Sequence, residues 1–224
     1  MNKKDIDLLK NYEILYNFFG PQGWWPADSP LEVIVGAVLT QNTSWQNVEK
    51  AIDNLKRERL LDLTALVDIE QDKLSMIIKP SGYYNIKAKR LKNLIIEIYK
   101  NFQDLEDIKK LSMEDARNFL LKINGIGCET ADSILLYALG YPVFVIDAYT
   151  LRWLERFDIK FSDSKRDSYH QSQALFMKNL PKDSKLFNEY HALIVRLGKE
   201  FCKKVPNCHG CPFSSELYNV FSSL

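Results

Sequence analysis

Apolar residues recur every three or four positions along nearly the whole chain, and almost nowhere do they alternate. That period is helical and leaves no place for half-buried strands, so an all-α fold is expected. Ile6, Leu9, Tyr12, Tyr16 and Phe19 mark a first amphipathic helix, stopped by Gly20 and Pro21. Ser29 followed by Pro30 is a helix start, a side-chain cap before a first-turn proline, and it opens an apolar helix through Leu31, Val33, Ile34, Val35, Ala37, Val38 and Leu39. A helix this apolar belongs at the centre of a core. Further helices are expected over 45–58, 62–69, 71–79, 84–102, 113–122, 128–139, 147–157, 164–179 and 185–202. The isolated run from Tyr141 to Ile146 has strand-like composition and reads as a buried extended connector.

A chain of 224 residues that is 46% hydrophobic can bury one large core or two modest ones. Its formal net charge of +1 gives no global attraction to phosphates, so nucleic-acid binding would need a local basic face. No apolar run reaches the length of a membrane span, and Lys3, Lys4, Asp5, Asp7, Lys10 and Glu13 stand where a signal-peptide core would lie. A soluble cytoplasmic protein is expected.

Gly125 and Gly127 flank Ile126 between two amphipathic segments. Glycine permits a tight hairpin that exposes backbone N–H groups at the start of the next helix, a nest for a phosphate; a plain helix–helix turn would use the same residues. Asp147 stands twenty positions beyond Gly127, at the junction of the apolar connector and another helix. It can be an N-cap, and it can equally be a carboxylate held ionised by the helix dipole and suited to stabilising a cationic sugar.

From Leu120 to Arg156 the sequence resembles the helix-hairpin-helix, Gly/Pro-rich loop and aspartate signature of the endonuclease III superfamily of DNA glycosylases, with Leu139-Gly140-Tyr141-Pro142 as the loop. The stretches Ala37–Thr43 and Gly82–Leu91 are similar as well. The resemblance implies a six-helix barrel domain over 22–137 containing the hairpin, a second helical domain from 1–21 and 138–224, and an active site in the cleft between them. It implies Asp147 as the catalytic carboxylate, a DNA grip at Gly125, Ile126 and Gly127, and Gln41 in the gap left by a flipped nucleotide. Double-stranded DNA carrying a damaged base would be the partner of a monomer, which would be associated with the nucleoid when bound. Lys87 and Lys89, with Arg90 and Lys92, would either contact DNA or form a solvated face.

Relatives that also cleave the strand carry a lysine two residues after the second hairpin glycine; this chain has Glu129, and an acid cannot attack the sugar as an amine does. Base removal without strand cleavage is therefore expected. Trp24, Trp25 and Pro26, with Trp45, are aromatic-rich segments that could be core or platform. They are similar to a Trp-Trp-Pro segment and an aromatic position in the 3-methyladenine DNA glycosylase III group, as is the stretch beginning at Pro80. That likeness implies a base pocket for an alkylated purine, whose positive charge suits an aromatic box and whose weakened glycosidic bond needs no strong general acid. The alternatives are an endonuclease III-like or mismatch glycosylase for oxidised, deaminated or mismatched bases, and a non-catalytic DNA-binding module.

Cys202, Cys208 and Cys211 fall within ten residues and resemble the iron–sulfur loop of endonuclease III relatives, but the fourth cysteine position is Leu217. Three readings stand: a 4Fe-4S cluster with a non-cysteine or open fourth site, a zinc site recruiting His209, or a loop without metal. None is needed for the chemistry. Cys128 reads as a small buried residue, and Lys199, which could face the cleft, has no role in bond breaking.

Overall fold

The structure, a computed structural model, describes residues 6–102, 104–162 and 164–214; the Leu217 position lies outside them. The chain forms two compact units, Trp25–Tyr141 and the pairing of Met1–Trp24 with Pro142–Leu224. In chain order the helices are α1 (Leu8–Phe19), α2 (Pro30–Leu39), α3 (Trp45–Arg57), α4 (Leu63–Asp68), α5 (Gln71–Ile77), α6 (Tyr84–Asn101), α7 (Leu105–Ile108), α8 (Met113–Lys122), α9 (Cys128–Ser133), α10 (Ala148–Arg156), α11 (Lys165–Asn179) and α12 (Ser184–Glu200). A 3-10 turn (Lys79–Ser81) precedes α6, and a π-helical turn (Ile134–Ala138) continues α9. Among the described residues there is no β-strand, so the fold is all-α.

The Trp25–Tyr141 unit is organised on α2. Ser29 caps it by accepting from Glu32 N (3.2 Å), and every residue from Leu31 to Leu39 is buried. Its apolar surface packs on α6, which presents Leu91, Leu94, Ile95 and Ile98, and on the π turn with Leu135 and Leu136. Four-residue α7, with its Asp104/Asp107 capping box, was not expected from sequence, because it is too short to show a period. The unit ends at Tyr141 and begins at Trp25, a few residues from the expected boundaries at 137 and 22. Tyr141 stays with it because its hydroxyl donates to the Ile108 and Leu111 carbonyls (2.9 Å each).

In the other unit α12 packs on α10 and α1, and α11 on α1. The core is aromatic: Phe144, Trp153, Phe176, Phe187, Tyr190 and Phe213 are all buried. Phe144 and Phe176 stack at 3.9 Å between centroids. The segment Val143–Ile146 lies outside any helix or strand and is buried. Buried backbone outside a sheet needs other partners. α11 supplies two: Gln173 Nε2 donates to Phe144 O (2.8 Å), and Phe144 N donates to Met177 Sδ (3.3 Å).

Candidate active site

The hairpin joins α8 to α9 within the Trp25–Tyr141 unit. Gly125 has φ +97°, and a Cβ there would lie 2.3 Å from Arg90 Cγ, so both backbone and packing demand glycine. Gly127 is different: its φ is −94°, and a Cβ there would stand in open space. Ile126 is buried and anchors the turn, while Asn124 and Gly127 are exposed. Gln41 Nε2 donates to Gly125 O (3.3 Å) and Thr130 Oγ1 (3.0 Å), and Arg90 donates to Gln41 Oε1. Asn93 Nδ2 donates to Asn124 O (3.2 Å). Gln41 thus ties the hairpin to α6 through the two ends of its amide. Sequence alone does not mark Arg90 and Asn93 as its supports, because no local pattern links α6 to a turn some thirty residues on.

The basic residues of α6 have separate fates. Lys87 is not part of a DNA-contacting face: it is 1% exposed and lies on the same row as Leu91 and Leu94. Its Nζ donates to Leu39 O (2.9 Å) at the end of α2 and to Ser81 O (2.7 Å). Burial, and secondarily the Arg90 charge, lowers its pKa to about 8. Lys92 likewise turns to protein, donating to the carbonyls of Leu66, Val67 and Ile69. Lys89, two residues beyond Lys87, is exposed. Glu129 is exposed in the first turn of α9.

Trp25, Pro26 and Trp45 line one cavity of about 170 Å³, together with Glu32, Gly36, Glu49, Ile52, Asp53 and Lys56. Gly36 makes room for the indole: a Cβ there would stand 3.0 Å from Trp25 Cζ2. Trp25 meets Trp45 edge-on (centroids 5.2 Å, 86°) and Tyr137 of the π turn at 5.3 Å. Three carboxylates face one ammonium in this lining, and Lys56 is already paired with Glu32 (2.9 Å) and Asp28 (2.6 Å). Of the four residues expected in a pocket, Trp24 alone is not among those that line this cavity, and it belongs to the other unit. The reason is local: outside a helix, adjacent side chains diverge.

Asp147 is the N-cap of α10. Its Oδ1 accepts from Thr150 N (2.7 Å) and Thr150 Oγ1 (2.9 Å), and its Oδ2 lies 3.6 Å from Nε2 of His191 on α12. The two side chains are 12% and 9% exposed. Burial pushes the Asp147 carboxyl up, but the His191 charge and the Thr150 donors outweigh it and hold the pKa below the ordinary carboxylate range. The site therefore offers a largely enclosed carboxylate that is ionised at neutral pH. His191 carries no sequence signal, since one histidine in an amphipathic helix has the look of a face residue.

The three cysteines of the loop sit in unlike surroundings. Cys202 and Cys211 are buried and Cys208 is half-buried. Arg156 donates to Cys202 Sγ (2.7 Å), and Arg152 to the Cys202 carbonyl (2.7 Å). Among the described residues no three Cys, His, Asp or Glu side chains are gathered around a point that could hold a metal ion. With Leu217 at the fourth position, the donor set does not fit a closed four-thiolate cluster. Among the described residues no helix is long and apolar enough to cross a membrane.

Residues 35–182 match the family described as "HhH-GPD superfamily base excision DNA repair protein". The chain is 49% identical over 207 residues to a protein of Methanocaldococcus jannaschii assigned as a DNA repair glycosylase, covering 92% of this chain and 93% of that one. It is similar to a solved H. pylori 3-methyladenine DNA glycosylase bound to 1,N6-ethenoadenine (31% identity, TM-score 0.74, 87% of this chain and 98% of that one). It also shares the fold of endonuclease III in a non-covalent DNA complex (20% identity, TM-score 0.79, 99% of each chain). With the family match spanning more than half of its length, this chain belongs to the HhH-GPD superfamily of base excision DNA glycosylases, on an endonuclease III-like fold.

Proposed function

We propose that the chain is a monofunctional DNA glycosylase, which extrudes an alkylated purine such as 3-methyladenine from double-stranded DNA and hydrolyses its N-glycosidic bond. The observation that carries this reading is Asp147, a largely enclosed carboxylate with a lowered pKa on a helix N-terminus. As the C–N bond breaks, positive charge develops on the sugar, and an ionised carboxylate in a water-poor site stabilises it. The electron pair leaves with the base. An N-alkylated purine is already cationic and departs neutral, so no general acid is required. Water then adds to the sugar carbon and gives up a proton to solvent, leaving an abasic site.

The substrate class is supported by the Trp25–Trp45 cavity, whose aromatic walls and excess of carboxylates favour a positively charged ring over a neutral one. The likeness to the H. pylori 3-methyladenine enzyme points the same way. Absence of strand cleavage is supported by Glu129, which cannot form a Schiff base. In this reading Gly125, Ile126 and Gly127 present backbone to the phosphates, Lys89 adds a charge, and Gln41 exchanges its hairpin bonds to enter the gap in the duplex. The cysteine loop contributes no step; visible absorbance of anaerobically purified protein tests it for iron.

Purified protein incubated with alkylated DNA releases 3-methyladenine, and borohydride traps no covalent DNA complex. Release no greater than that of an Asp147→Asn control would refute the activity, and a trapped complex would refute the monofunctional assignment.

A further inference from the structure

We propose that His191 is a positioning residue for the Asp147 carboxylate, fixing Oδ2 from α12 while Thr150 fixes Oδ1 from α10. The inference rests on the reading of Asp147 given above. The need for a second partner is geometric. The terminal torsion of an aspartate is broad, so a carboxylate anchored through one oxygen can still swing the other through an arc. Both Thr150 donors act on Oδ1. Oδ2 is the oxygen left to face a developing charge, and His191 Nε2 is the group that limits its arc, at 3.6 Å. That is ion-pair distance, longer than either Thr150 contact, so the carboxylate is aimed without being saturated.

The placement of His191 is built into the packing of two helices. His191 and Gly198 lie seven residues apart on α12, two turns along one buried face, with Ile194 between them. A Cβ at Gly198 would stand 2.3 Å from Cδ1 of Tyr149, in the first turn of α10. The missing side chain lets α12 approach the end of α10 that carries Asp147. Phe144, whose ring centroid is 6.4 Å from that of His191, adds an apolar neighbour. The groups acting on the Asp147 charge are His191 from α12 and Thr150 from α10 itself.

Two substitutions separate positioning from packing. In His191→Gln the amide nitrogen reaches the place of Nε2; in His191→Asn it falls short. With 3-methyladenine DNA in single turnover, His191→Asn slows base release by about ten- to a hundredfold, DNA affinity is unchanged, and His191→Gln recovers to within about threefold of wild type. Equal rates in all three proteins overturn the proposal, as does an equal loss in both variants in step with lost thermal stability. A second readout needs no base release: carbon-detected NMR of the Asp147 carboxyl shows its titration at higher pH in His191→Asn than in wild type. No movement overturns the pairing. A wild-type protein that releases no base refutes the proposed activity instead, and the titration still decides the pairing.

Discussion

Two aspartates, one in each unit, are held in opposite ways. Asp132 on α9 is fully buried, and Arg117 of α8 grips both of its oxygens, Nε to Oδ1 at 2.6 Å and Nη2 to Oδ2 at 3.0 Å. Asp147 has two donors on one oxygen and only a long contact on the other. A forked guanidinium saturates a carboxylate and ties two helices together. A cap with one oxygen loosely held keeps its charge and leaves a face for chemistry. In the function proposed above, the occupancy of the second oxygen is what sets Asp147 apart from the structural Asp132.

The contrast predicts effects of different kinds. The largest is on stability: Arg117→Met leaves the Asp132 carboxylate buried without its fork and costs about 3–5 kcal/mol of unfolding free energy. Urea denaturation measures it, while base release per folded molecule stays at the wild-type level. A comparable loss of specific activity would erase the distinction. Next comes Asp147→Asn, whose amide can still cap α10, so stability changes by less than about 1 kcal/mol. Base release falls by about a hundred- to a thousandfold, equivalent to roughly 2.7–4 kcal/mol. Because the folded Asp147 pKa lies below the unfolded one, its stabilising contribution is present above the ordinary carboxylate range and fades as pH falls through the folded value. The stability difference between wild type and Asp147→Asn should close only in that acidic window.

The smallest effect concerns Lys87, the buried cation that bridges α2 and the turn before α6. Lys87→Met keeps the packing but deprives the Leu39 and Ser81 carbonyls of a donor, at about 1–3 kcal/mol. The slope with pH has the same sign as for Asp147, because both folded pKa values are lowered, but at Lys87 the shift disfavours the charged form. The folded pKa, about 8, lies below that of the unfolded chain, so wild type gains stability relative to the variant as pH rises from about 8 toward 10. A difference independent of pH in that window would show that burial does not disfavour the ammonium.

Much of the fold was legible because helices announce themselves locally. The period of α6, the Ser29–Pro30 start of α2 and the Gly20 stop of α1 are all written within a few residues of where they act. The four residues of α7 were not, for want of a full period, nor was the division of the α6 cations into the buried Lys87 and the exposed Lys89. Two positions along a helix is a rotation of roughly 200°, and only the packed neighbours say which side is the core. Of the site, Asp147 was marked by its place before a helix and by the company of the hairpin.

By itself the sequence determined an all-helical chain, a glycine hairpin, an aspartate at a helix start, an acid two residues after the second hairpin glycine, and three cysteines within ten residues. Tertiary structure decided which groups these residues meet. It put Arg90 where Gly125 can have no side chain, set Trp25 and Trp45 on a cavity without Trp24, turned Lys87 inward, and brought His191 to Asp147 across forty-four positions of sequence. The physical reason is range: caps, turns and periods are governed by bonds to near neighbours in the chain, whereas the charge and orientation of a buried group are set by whatever side chain the packing of distant helices places beside it.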